Sequence, residues 1–129
     1  MTNSKIPDNA LSRIGQIAVP VAEIDRAITF YKDVLGMSFL FKAPPGLGFF
    51  DCDGVRLMLD SPAKANAGLG SVIYFKVNDL QASFLQLTER GLTFESKPHL
   101  VARMPDHELW MAFFRDPDKN LLALMSEVR

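Results

Sequence analysis

Disulfides are excluded first. The chain of 129 residues holds one cysteine, Cys52, so no bridge can close within it and a reducing, cytoplasmic setting is expected. Charge of one sign is also missing: 14 Lys and Arg stand against 15 Asp and Glu, spread along the sequence. There is no basic stripe for nucleic acid and no acidic block for a cationic partner. No apolar run approaches the ~18 residues that span a bilayer, and the opening MTNSKIPDNALSR lacks the apolar stretch of a signal peptide. Neither a membrane nor a nucleic acid is therefore an expected partner.

What is present is core material. The chain is 48% hydrophobic with ten Phe, enough to pack one domain over residues 1–129 or two small repeats sharing an interior. Cys52 lies in DCDG, which reads as a turn, with nothing nearby to lower its pKa.

The order of patterns resolves into a repeat. Residues 14–21 alternate as a strand, with Ile17, Val19 and Val21 on one face and Gln16, Ala18 and Pro20 on the other. Ile24, Ala27, Ile28, Tyr31 and Leu35 then fall at helical spacing, and Gly36 stops the helix. SFLFKAP, GFFDC and VRLMLD follow as strands, and SPAKANAGLG reads as a linker. The order then recurs. SVIYFKV is a strand, Asp79 caps a helix carrying Leu80, Phe84 and Leu87, and LTFESKPHLVAR, ELWMAFFRD and LLALMSE are strands. Gln16 aligns with Val72 at an offset of 56, and VRLMLDS aligns with NLLALMS at an offset of 65. The expected fold is α+β: two tandem βαβββ modules, 14–61 and 71–127, joined by a linker at 62–70. They build a curved, cup-shaped, eight-stranded mixed sheet with helices on its convex face.

Three stretches carry a family resemblance: QIAVPVAEIDRAITFYKDVLGM, FFDCDGVRLMLDS and FFRDPDKNLLALMSE. The pattern resembles the vicinal oxygen chelate superfamily of glyoxalase I, bleomycin-resistance proteins, extradiol dioxygenases and methylmalonyl-CoA epimerase. The resemblance implies a glyoxalase/bleomycin-resistance-like fold and, by family habit, a homodimer. Metal-using members of that family hold a divalent ion in the cup, on ligands from the first and last strands of each module. Those positions correspond here to Gln16, Val72, Met58 and Ala123. One of the four could coordinate, and a lone amide oxygen cannot hold a catalytic divalent ion. No cofactor is therefore expected, with a divalent metal as the alternative.

Strand parity names what lines the cup instead. Gln16, Arg56, Met58 and Tyr74 face it, and placing Phe113 on the core side turns Trp110 and Phe114 toward it as well. An apolar, aromatic lining with a few polar groups suits a small organic ligand. The same aromatics would serve equally as core or dimer interface. His99 and His107 flank a hairpin with Arg103 between them. Either histidine is a candidate general base, and Arg103 is a candidate for an anionic group. Several functions are compatible with this lining. One is a small-molecule binder without the usual metal, and another is a drug-sequestering resistance protein. A third is a lyase, isomerase or dioxygenase using a non-standard metal site or histidine acid–base chemistry. The last is an interaction module with a plugged cup.

Overall fold

A computed structural model describes residues 14–62 and 71–129. Of the expected linker at 62–70, only Pro62 and none of the rest falls within the described residues.

The first module runs β1 (Gln16–Pro20), α1 (Ile24–Thr29), β2 (Ser38–Ala43), β3 (Leu47–Cys52) and β4 (Val55–Asp60). The second runs β5 (Ile73–Lys76), α2 (Leu80–Glu89), β6 (His99–Arg103), β7 (Glu108–Arg115) and β8 (Leu121–Val128). Glu23 starts α1, its carboxylate accepting from the N–H groups of Asp25 and Arg26 at 2.9 Å each. After Thr29 the helix widens for one turn, Phe30–Val34, where the Leu35 N–H reaches back to the Phe30 carbonyl at 3.0 Å. Gly36 ends it with φ of +73°, a conformation open to glycine. Asp79 caps α2 as expected, accepting from the Ala82 N–H at 3.0 Å.

The eight strands are hydrogen-bonded as two sheets of four, ordered β1-β4-β3-β2 and β5-β8-β7-β6. Each has one parallel pair, β1 with β4 and β5 with β8, and antiparallel neighbours beyond. β1 and β5 are thus edge strands of separate sheets. Pro20, with no N–H, closes the ladder of β1.

One core joins the modules. Val19, Tyr31, Phe50, Leu57 and Leu59 from the first pack into the same cluster as Leu80, Leu87, Phe114, Leu122 and Leu124 from the second. Helix α1 lies close over β3, where Gly48 leaves room for Ile24 and Ile28. The seam between modules is polar at one end. Asp118 accepts from the Ala22 N–H and from the Arg26 guanidinium, both at 2.8 Å, and the Asn120 amide donates to the Pro20 carbonyl at 2.8 Å. The Tyr31 hydroxyl donates to Asp116 at 2.8 Å within the core.

Candidate functional site

Because β1 and β4 are parallel and in register, Gln16 lies beside Arg56 and Ala18 beside Met58. Ile17, Val19, Leu57 and Leu59 turn to the helices, so the even-numbered residues take the concave face. Antiparallel pairing then brings Phe49 opposite Met58. Here the sequence parity holds, and it brings two of the four family ligand positions together. The Gln16 Nε2 donates to the Met58 thioether at 3.7 Å. Arg56 lies over the Phe49 ring at 5.6 Å, and Phe41 packs on the same ring at 4.9 Å. Arg56 has found an aromatic face instead of a carboxylate.

In the second module the phase of β7 is the reverse of the sequence expectation. Phe113 pairs with Ala123, and Phe114 with Leu122. Phe114 is 0% exposed, in the core against Phe94 and Leu122. It is not a cup residue. Trp110 is corrected with it. It packs against the core beneath the start of α2, its indole N–H donating to Glu108 at 3.1 Å. Phe113, expected inside, is the residue on the concave face. The physical reason is that both faces of β7 are apolar, so alternation fixes no phase. The length of the turn does. Phe50 pairs with Leu57 and Phe114 with Leu122, so the repeat offset is 65 for the last strands but 64 for the strands before them. The DPDKN turn is one residue longer in effect, and it makes Phe113 the repeat equivalent of Phe49.

Phe49 and Phe113 are therefore repeat mates, and sequence parity missed both. Phe113 is flanked by Tyr74, edge-on at 6.1 Å, and by His99, stacked at 6.2 Å with 25° between the planes. Tyr74 is 45% exposed, and Ala123, opposite it, is fully covered. The His99 Nδ1 lies 3.0 Å from the Lys97 carbonyl. A carbonyl only accepts, so in the neutral ring Nδ1 carries the proton and Nε2 keeps a free lone pair.

The other candidates lie elsewhere. His107 follows β6, its side chain 16% exposed and its Nδ1 2.7 Å from Asp106. His99 begins β6, so the two histidines are separated by the strand's length, about 13 Å or more. They are not a catalytic pair. Arg129 and His107 hold the Asp106 carboxyl below the usual carboxylate range. Arg103 is spent on Glu108 at 3.4 Å, at the rim beside His107. Burial, then the neighbouring carboxylates of Asp51 and Asp53, pushes the Cys52 thiol up, away from reactivity.

The residues at the four family ligand positions do not fit a divalent ion. The Gln16 amide is turned to a thioether, Val72 and Ala123 carry no donor atom, and Ala123 is fully buried. Among the described residues no three His, Cys, Asp or Glu side chains gather into a metal-sized group. None of the described helices is long and apolar enough to cross a membrane.

Comparison with known proteins bears on the whole chain. The chain is 28% identical to the uncharacterized protein YraH of Bacillus subtilis, covering 84% of this chain and 94% of that one. Among solved structures it is similar to lactoylglutathione lyase from Agrobacterium tumefaciens, with a TM-score of 0.72, 25% identity, and coverage of 91% and 95% of the two chains. The fold is shared with TnmS3, an antibiotic binding protein from Streptomyces sp. CB03234, with a TM-score of 0.73, 23% identity, and coverage of 92% and 98%. A family model matches residues 13–124. With the two βαβββ modules and the curved sheets already in place, the chain belongs to the Glyoxalase/Bleomycin resistance protein/Dioxygenase superfamily.

Proposed function

We propose that this protein binds a flat, largely apolar organic molecule against Phe49 and Phe113, without a divalent metal at the family's ligand positions. The observation that carries the reading is the pairing of these two rings as repeat mates, each with one polar companion on the same face: Arg56 over Phe49, His99 over Phe113. Aromatic rings supply stacking area, and the few polar groups fix orientation. Gln16 and the Tyr74 hydroxyl serve as further anchors. An antibiotic-binding protein of the same fold supports sequestration as the biological use. A homodimer completes the site. Phe41 and Tyr74 stay exposed at the concave faces in one chain, and a second copy covers them. A reducing cytoplasm suits the lone thiol of Cys52.

The test is direct. In methyl NMR, 2-naphthol titrated into the protein shifts the Met58 and Ala123 methyls, and Phe113→Ala or Phe49→Ala weakens binding about tenfold, the value of one stacking partner. Shifts confined to other methyls, or binding indifferent to both substitutions, overturn the reading. Stoichiometric metal in protein purified without chelators overturns its metal-free part. Sedimentation as a monomer at micromolar concentration overturns the dimer.

A second reading is favoured by one observation, the free Nε2 of His99 on the concave face. That lone pair would act as a general base in a lyase or isomerase, and similarity to a lactoylglutathione lyase supports it. Turnover of an oxygenated substrate that is lost in His99→Gln but kept in His107→Gln would establish it.

A further inference from the structure

A cavity lies on the helical side, away from the concave faces, where the residues after the first module's helix meet α2. Its volume is about 200 Å³, and Leu35, Met37, Phe75, Leu87, Phe114 and Leu124 wall it. Both modules contribute, the first through Leu35 and Met37 only. Its mouth is polar and has one maker. Ser83, Gln86, Leu87 and Arg90 fall at spacings of three, four and seven on α2, which is a single helical face. Leu87 is buried while Gln86 and Arg90 are exposed and Ser83 is half-buried, so the polar side chains stand on the solvent side.

Arg90 is the informative residue. Among the described residues no carboxylate lies within ion-pair distance of it, and its guanidinium makes no hydrogen bond to a protein acceptor. Every other arginine named in the seam, rim or strand ends has a carboxylate, and Arg56 has a ring. Arg90 is exposed at the C-cap of α2. Its guanidinium lies beside Gly36, in the space a side chain there would take. An unpaired cation at the edge of an apolar cavity, with an amide and a hydroxyl beside it, suits a single negative charge carrying an apolar tail. Guanidinium geometry matches a carboxylate's two oxygens. The cavity is smaller than the ~300–1,000 Å³ of drug-sized sites, so the ligand is compact.

We propose that this cleft is a binding site for a small apolar monocarboxylate. The carboxylate lies on Arg90, with Gln86 and Ser83 as donors, and the tail passes between Leu87, Phe75 and Met37. The site is separate from the concave faces and does not depend on what they bind. Because residues 35 and 37 come from one module and the rest from the other, occupancy bridges the two and raises the melting temperature.

The experiment uses hexanoate, with hexan-1-ol as its uncharged counterpart, titrated into the full chain and followed by methyl NMR. Hexanoate is expected to give saturable shifts at Met37, Leu87 and Leu124. Hexan-1-ol is expected to bind about tenfold more weakly, and Arg90→Gln to weaken hexanoate by a similar factor, the worth of a charge-assisted pair. Phe113→Ala leaves the hexanoate titration unchanged. Equal binding of the alcohol, an unaffected Arg90→Gln variant, or shifts appearing at Met58 and Ala123 instead would each overturn the proposal. So would the absence of saturable shifts at the three cleft methyls.

Discussion

Tyr31 shows what one residue can reveal about how the modules are locked. Its ring is fully buried against Phe30 and Phe50, and its hydroxyl donates to Asp116, whose other oxygen accepts from the N–H groups of Asp118 and Asn120. Burial first, then the Asp116 and Asp118 carboxylates, raises the Tyr31 pKa far above the ordinary phenol value. The sign follows from linkage. The folded state keeps the phenolic proton while the unfolded chain releases it near pH 10. The stability this confers is therefore complete below pH 10 and declines as pH rises above it. The melting temperature of the wild type is expected to fall between pH 9.5 and 11 more steeply than that of Tyr31→Phe, as thermal melts across that range would record. At neutral pH the same substitution costs about 1–2 kcal/mol, because Asp116 loses one donor but keeps the Asn120 amide. Equal alkaline slopes would show that the proton is not held. From sequence Tyr31 was legible only as a member of the helical face. Its polar partner lies 85 residues away, and no local pattern encodes that distance.

At the scale of elements, legibility depended on whether a strand had one apolar face or two. β1, β4 and β8 alternate or carry repeat mates, and their phase was readable: Ile17, Leu57 and Leu122 inward, Gln16 and Met58 outward. β7 is apolar on both faces, and its phase came from the hairpin turn, whose extra residue makes Phe113 the equivalent of Phe49 and sends Phe114 inside. The signal existed, since pairing Phe114 with the inward Leu122 across the turn would have fixed it. LTFESKPHLVAR gave the opposite error in extent. Only His99–Arg103 forms the strand, preceded by a lone bridge from Phe94 to Phe114. Helix seating gives the prediction at this scale. A Cβ on Gly48 would stand 2.9 Å from Ile28 Cγ1 and 3.3 Å from Ile24 Cδ1, so α1 must shift to admit it. Gly48→Ala is expected to lower stability by about 1–2 kcal/mol in urea melts, overpacking outweighing the entropy gained. Gly15→Ala, with nothing within 4 Å, is the neutral control. A neutral Gly48→Ala would mean that α1 does not rest on β3 as closely as described.

For the whole molecule the question is whether two repeats behave as one body. Their sheets are not hydrogen-bonded to each other, so the shared core and the polar seam must couple them. Asn120, 8% exposed, anchors the seam. Its side-chain amide donates to the Pro20 carbonyl of the first module and to Asp116 of the second. Nearby, Asp118 receives Ala22 and Arg26 on one oxygen, while its other oxygen is buried with no partner among the described residues. Arg26 is half exposed, so its ion pair adds little, and the buried amide is the stronger tie. Asn120→Ala is expected to cost about 2 kcal/mol, two buried hydrogen bonds lost with partial compensation. The unfolding transition is nonetheless expected to stay single, because Tyr31, Phe50, Leu87 and Phe114 still share one core. Trp110 is the only tryptophan and sits in the second module, which makes the check straightforward. Its fluorescence reports that module alone, while far-ultraviolet circular dichroism reports both. In Asn120→Ala the two melts are expected to coincide at a lowered midpoint. A fluorescence transition that separates from the dichroism would show that the seam, and not the core, holds the repeats together.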